Sequence, residues 1–367
     1  EELLVVAGHT GGVGSVSFDP TGRLLATGGG DGLTRIWDVG PAGSYEALTV
    51  ATDGPATFSA WSPDRALLAT GTDDGDVVIW DAVTGQRLVV TSGHADRVAG
   101  GGFSPDGALL ATASEDQTVR VWSVTSGDEV FAVTGHVDGV WSAEFSPDGT
   151  ILASAGLDGL VGLWDGSNGR EIGTLPGVPA AFSVTFSPDG SLVAAVGLGI
   201  HVWDVETRSR LAEIEGHTGA ILAAGFSPDG RLLATGAADG SAKLWDVSGI
   251  RRGELREVGS LESHSAALLA VAFSPDGTRI ATAALDNSAK VWDLEGTVQL
   301  TLPVRAPGVL AFDPTGTRLA VPSADGSVRV YLLNVEELLD LARTRVSRTF
   351  TAAECLHYLA EDRCGGS

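Results

Sequence analysis

No methionine occurs in the 367 residues, not even at position 1, and this absence suggests a fragment or a processed product of a longer polypeptide. Lysine is nearly missing too. Only Lys243 and Lys290 are present, so the other basic side chains are arginine, a bias expected of a GC-rich bacterial coding sequence and silent about function. The 23 basic residues face 47 acidic ones, and the resulting net charge of −24 repels phosphate backbones and anionic lipid. With no strong basic cluster to offset that field, neither nucleic acid nor a membrane is expected as a partner. No apolar run reaches the ~18 residues that a spanning helix requires, and no charged segment leading into an apolar one opens the chain. A cytoplasmic location is expected.

What is abundant points the other way. Fifty glycines and 15 prolines accompany a hydrophobic content of 43%, which suits many tight turns between short buried strands and is too apolar for a disordered chain. Eight times an aromatic residue opens a turn of the Phe-Ser-Pro-Asp-Gly kind: Phe18, Trp61, Phe103, Phe145, Phe186, Phe226, Phe273 and Phe312. Each is followed within its repeat by a closing aromatic: Trp37, Trp80, Trp122, Trp164, Trp203, Trp245, Trp292 or Tyr331. The closing aromatics lie 39 to 47 residues apart. That period, filled with short apolar runs and turn residues, is the signature of a four-stranded propeller blade.

In the first repeat, residues 13–18 alternate as a strand, 19–22 turn, and 24–27 begin a second strand. Asp31-Gly32 reads as a tight hairpin, 34–37 as a third strand and 46–50 as a weaker fourth. The chain opens with strand-like residues 2–6 ahead of the first full repeat, and the last repeat stops after three strands near Leu333. These halves fit each other, so the N-terminal strand is expected to become the outer strand of the eighth blade and close the ring.

These residues resemble the WD-repeat (Trp-Asp repeat) β-propeller family over residues 1–333. The resemblance implies an all-β, eight-bladed WD-repeat β-propeller with 3+1 closure in blade eight, followed over 334–367 by a short α-helical extension. It also implies a structural tetrad in five blades: His9/Thr27/Asp31/Trp37, His94/Thr112/Asp116/Trp122, His136/Ser154/Asp158/Trp164, His217/Thr235/Asp239/Trp245 and His264/Thr282/Asp286/Trp292. Three blades depart from it. Blade two has Thr52 in place of His but keeps Thr70, Asp74 and Trp80. Blade five keeps only Trp203, with Gly177, Ala195 and Gly197 at the other places. Blade eight has Pro303, Val321, Asp325 and Tyr331. The shortened turn at Gly197-Leu198-Gly199 is expected to be the most altered geometry of the ring.

Hydroxyl, His and Asp together suggest a hydrolase, because a nucleophile needs a base and the base an orienting carboxylate. Here the trio recurs five times, whereas a catalytic site is normally singular. A buried polar network that rigidifies each repeat should recur in each. No nucleophile elbow, phosphate-binding glycine loop or zinc-binding His pair is present, so no catalytic residue, metal or cofactor is assigned. The tetrad histidines stand a blade apart, and His201 and His357 lack the neighbours of a metal ligand. The acidic turn at 72–76 lacks the spacing of a calcium loop.

The family resemblance also implies a ring whose narrower face, near the tetrad His and Asp, binds peptides or protein surfaces. Its variable positions would be Arg97 and Glu115 in blade three, Trp141 and Leu157 in blade four, Phe182 in blade five, Leu222 in blade six, and Leu269 and Leu285 in blade seven. This apolar arc beside an arginine has the composition of an interface hot spot. The competing reading places some of these side chains inside the blades, since a one-residue slip in strand alternation reverses the face.

Beyond Leu333, residues 335–342 have helical spacing, and Thr351-Ala352-Ala353-Glu354 reads as a capping box opening a second helix. Arg343, Arg345 and Arg348 lie between them. Cys355 and Cys364 are near enough in sequence for a small-loop disulfide, or remain two thiols in a reducing compartment. This tail is similar to the segment that ends bacterial WD-repeat signalling proteins, in which the propeller follows a STAND NTPase, a protein kinase or a protease-like effector. The function expected is a non-enzymatic protein-binding scaffold, the sensor module of such a protein, with an upstream effector domain in the same polypeptide and a protein or peptide ligand. The alternatives are a propeller packing only against its own effector, and an enzyme with its site in the central funnel.

Overall fold

The computed structural model describes residues 2–39, 45–52, 54–262, 264–305 and 309–333. The expected C-terminal helices, His357, the arginine cluster and both cysteines lie outside the described residues. The described chain forms eight four-stranded antiparallel sheets, each a meander from an inner to an outer strand. In blade one these are Val13–Phe18, Leu24–Gly29, Leu33–Asp38 and Tyr45–Ala51.

Blade eight is assembled from both ends of the chain. Its inner three strands are Ala311–Phe312, Arg318–Pro322 and Ser327–Leu332, and its outer strand is Glu2–Ala7, paired antiparallel with Glu2 opposite Tyr331 and Ala7 opposite Ser327. The ring therefore closes by strand pairing, which leaves blades one and eight no open face between them. Packing reinforces the seam: Val6, Ala320, Val328 and Val330 share one buried cluster with Val13, Phe18, Leu25 and Trp37. The buried Arg318 donates from Nη1 to the carbonyls of Val39 at 2.7 Å and Gly22 at 3.4 Å.

Hydrophobic clusters run between blades as well as within them. Val119, Val121 and Val133 of blade three, for example, pack with Val140, Phe145, Leu152 and Trp164 of blade four. The second strand of a regular blade is buried on both faces, and the small Ala, Thr, Ser and Gly residues there let neighbouring sheets approach. The turn leaving the inner strand is fixed by its own side chains. Ser104 Oγ donates to Asp106 at 2.6 Å and accepts from the Leu109 N–H at 3.0 Å, while Gly107 takes a φ of 73° that the turn requires.

Departures from regularity match the uneven spacing of the aromatics. The 47-residue interval before Trp292 is filled by a long hairpin in blade six, Ser241–Gly249 and Glu254–Glu262, joined by a 3₁₀ turn at Ile250–Arg252. Blade five has a four-residue inner strand, Ser183–Phe186, and its second hairpin bends through Gly197-Leu198-Gly199 with no Asp-Gly turn.

Candidate functional site

In five blades the tetrad closes as a chain of hydrogen bonds between loop, second strand and third strand. In blade three, Trp122 Nε1 donates to Thr112 Oγ1 at 2.9 Å, Thr112 meets His94 Nε2 at 2.8 Å, and His94 Nδ1 meets Asp116 Oδ2 at 2.9 Å. Blade one repeats it through Trp37, Thr27, His9 and Asp31 at 3.0, 2.9 and 2.8 Å. Blade four uses Trp164, Ser154, His136 and Asp158 at 2.9, 2.8 and 3.0 Å. Blade seven uses Trp292, Thr282, His264 and Asp286 at 2.9, 2.8 and 2.9 Å. Blade six differs: Trp245 and His217 both meet Thr235 at 2.9 Å, but His217 Nδ1 lies nearer Ser241 Oγ, at 3.0 Å, than Asp239, at 3.3 Å.

One protonation pattern satisfies every member of this chain: the hydroxyl accepts from Trp and donates to Nε2, and Nδ1–H donates to the carboxylate. The hydroxyls of Thr27, Thr112, Ser154, Thr235 and Thr282 belong to residues with no exposed surface. A hydroxyl so enclosed, with its proton already engaged, cannot reach a substrate carbonyl. Burial lowers the pKa of His94, His217 and His264 despite their carboxylates. Burial pushes Asp116 upward but is outweighed by hydrogen bonds from Thr118, the Ala95 N–H and His94, which hold it at about 2.

The incomplete blades show what each loss leaves. In blade two Trp80 still donates to Thr70 at 2.9 Å, while Thr52 turns back to the carbonyl of Gly54 at 2.8 Å. In blade five His201 stacks on Trp203, ring centroids 5.8 Å apart and planes 19° from parallel. His201 is buried, its Nδ1 has no hydrogen-bond partner, and burial lowers its pKa.

The expected interaction residues sit beside the tetrad loops in the chain: Trp141, Leu222 and Leu269 are the second residues of their inner strands, and Glu115, Leu157 and Leu285 immediately precede turn aspartates. Arg97 is not free there: its Nε stands 3.0 Å from Asp73 of blade two and its Nη1 3.3 Å from Glu115, so it bridges two blades. Trp141 is 37% exposed and meets Phe182 edge-on across the boundary of blades four and five. Leu157, Phe182, Leu222 and Leu269 are half-buried and Leu285 is exposed. None of these apolar side chains joins a buried cluster between the blades, so they are not core residues.

Two apolar residues of this face escaped the sequence reading. Val137, 76% exposed, directly follows tetrad His136, and Leu198, 62% exposed, tips the altered turn of blade five. The first had a signal, since the residue after each tetrad His is tied by its N–H to the turn Asp and must point outward. A third overlooked residue is Glu144. It is the sole charged residue on the eight inner strands that wall the channel.

The fold and tetrads define an eight-bladed propeller of repeating polar-locked blades. The family model described as WD domain, G-beta repeat matches residues 1–38, 49–81, 85–123, 127–165, 208–246 and 255–293, well over half of the chain, and the protein belongs to that family. The unmatched stretches contain the inner three strands of blade five, which lacks a tetrad, and of blade eight. Among curated proteins, 52 residues are 48% identical to pre-mRNA-processing factor 19 of Oryza sativa, covering 14% of this chain and 10% of that protein. A further 61 residues are 41% identical to ribosome biogenesis protein ERB1 of Pyricularia oryzae, covering 17% of this chain and 8% of that one. The match thus spans about a tenth of each relative. Among solved structures, the computationally designed protein Ika8 superposes with a TM-score of 0.79 at 26% identity, over 90% of this chain and 99% of that one.

Proposed function

We propose that this propeller is a non-enzymatic scaffold that binds a protein or peptide on the tetrad face of blades three to seven. The observation that carries this reading is the apolar arc around Trp141 and Phe182, which projects from the ring without belonging to any core cluster. Soluble proteins rarely leave such aromatic surface open unless a partner covers it. The enclosed tetrad hydroxyls argue against hydrolysis at the one constellation that suggests it. The test is affinity capture with the purified chain beside its Trp141→Ala variant: a partner held by the parent and lost by the variant supports the reading, and equal capture overturns it.

The finer reading is that residues 1–333 form a cytoplasmic sensor, joined through the extension 334–367 and an upstream effector of the NTPase, kinase or protease-like kind into a bacterial signalling protein. The resemblance of the tail supports it. Sequencing the gene upstream of residue 1 tests it: an in-frame effector domain is the expected result, and a start codon adjoining residue 1 would remove the proposal.

A further inference from the structure

The aromatic pair Trp141 and Phe182 adjoins a strip of carboxylates, and contacts between blades join the two. Arg97 of blade three stands 3.0 Å from Asp73 of blade two and 3.3 Å from Glu115 of its own blade. A methyl group added at Gly139 of blade four would lie 3.3 Å from the Cα of Glu115, and Gly139 leads directly into the strand that carries Trp141. In both blades the loop before the inner strand meets the turn after the second strand: the Glu115 N–H donates to the Arg97 carbonyl at 3.0 Å, and the Leu157 N–H to the Gly139 carbonyl at 2.9 Å. The strip therefore runs from the blade-two turn to the aromatic rings without a break.

Its charge is one-sided. Asp73 and Glu115 share Arg97, but Asp74, Asp96 and Asp138 are exposed, and no basic side chain among the described residues pairs with any of the three. Asp74 has no histidine to bond, because blade two has Thr52 at that place and Thr52 turns to the Gly54 carbonyl. Asp96 and Asp138 each accept the N–H of the residue that follows, at 2.8 and 2.7 Å. On the other side of the aromatic pair the charge vanishes: the blade-five loop 175–183 and turn 196–199 contain no ionisable residue, and Leu198 is exposed there. We propose that the partner segment held on this surface is a peptide with apolar residues at one end, seated on Trp141, Phe182 and Leu198, and lysines or arginines at the other, over Asp74, Asp96 and Asp138. The inference rests on the protein-binding reading above and narrows its partner. The aromatic pair supplies the anchoring area, and the carboxylates set the sign, since exposed charges steer and select a partner more than they hold it. An acidic segment would be repelled here and by the net charge of −24 on the chain.

Selection of a displayed library of random dodecapeptides on the purified 367-residue chain, with counter-selection on its Trp141→Ala variant, tests this. The expected survivors combine two or more lysines or arginines with an aromatic or large aliphatic residue. Trp141-dependent sequences with no excess of basic residues overturn the proposal and leave the protein-binding reading standing. No Trp141-dependent sequence at all also overturns the proposal, and the reading itself then stands or falls on the capture test above. The most enriched peptide is next titrated by fluorescence anisotropy. Asp74→Asn, Asp96→Asn and Asp138→Asn together keep the acceptor oxygens of both loop bonds and should weaken binding about tenfold, because an exposed ion pair is worth about a twofold to fivefold gain. The control removes as much charge from turns between third and outer strands, with Asp128→Asn, Glu206→Gln and Glu295→Gln. Those turns lie at the far end of six-residue strands, roughly 20 Å away and beyond the ~8 Å Debye length of physiological salt, so the control should weaken binding less than about twofold. Equal losses in the two triple variants, or none in the first, overturn the proposal. Melting curves check that both fold, and if the first does not, a lysine-to-glutamine peptide decides: it should bind the parent chain at least tenfold more weakly, and equal binding overturns the proposal.

Discussion

Trp141 of blade four meets Phe182 of blade five edge to face, with ring centroids 6.1 Å apart and planes at 78°. Such a pair holds two large side chains in one orientation before any partner arrives, which lowers the ordering cost of binding. Trp141→Ala and Phe182→Ala should each weaken partner binding by on the order of 2 kcal/mol or more, in the manner of interface hot spots. The melting temperature should move by no more than about 2 °C, since neither ring belongs to a core cluster. A large fall in melting temperature would make the pair structural.

The tetrads predict a graded cost. Thr112→Val leaves both His94 Nε2 and Trp122 Nε1 buried without their partner, whereas Thr70→Val deprives only Trp80, because blade two has no His in reach. Each orphaned buried polar group costs about 1–3 kcal/mol, so Thr112→Val should destabilise by about 2–6 kcal/mol and Thr70→Val by roughly half as much. Denaturant unfolding of the two variants checks the order; equal losses would contradict it.

Acid should act through two opposed groups. His94, His217 and His264 are held below their ordinary value of 6.5, so the unfolded chain protonates first and the stability they provide above 6.5 is lost as pH falls below it. Glu144 is raised from 4.5 to about 7, so its contribution is complete below 4.5 and lost as pH rises through 7. At most this is on the order of 3 kcal/mol. Glu144→Gln should therefore gain stability over the parent at pH 8 and lose it more steeply between pH 7 and 5. Parallel melting curves for parent and variant would remove the opposed contribution of Glu144.

Removing residues 1–7 strips blade eight of its outer strand and takes Val6 from the seam cluster. The melting temperature should fall by on the order of 10 °C, given the few kcal/mol that such a strand and its packing supply. An unchanged transition in calorimetry would show that the ring does not depend on this closure.

Repetition made much of this legible in the sequence. A Trp that must donate to a hydroxyl, and a hydroxyl that must reach a His, recur at fixed spacing because each blade solves the same hydrogen-bonding problem, and the unfinished last repeat announced its missing strand. What stayed hidden was made by differences between blades. Arg97 looked like a free anchor until Asp73, from another repeat, closed on it. Glu144 gave no signal, because the Phe186 N–H and Thr185 Oγ1 that meet its carboxylate belong to the next repeat. His201 was legible as an odd residue beside Trp203, but its stacking on that ring and its unpaired Nδ1 were not.

The pairing of Glu2 with Tyr331 fixes more than the closure of the ring. Strand three of a blade runs away from the tetrad turns, so Tyr331 lies toward the opposite rim, and its antiparallel partner Glu2 lies there too. Both strands thus leave blade eight on the side facing away from Trp141 and Phe182. A tether at either position would mount the propeller from behind, as a lamp is mounted from its base, and leave the apolar face clear.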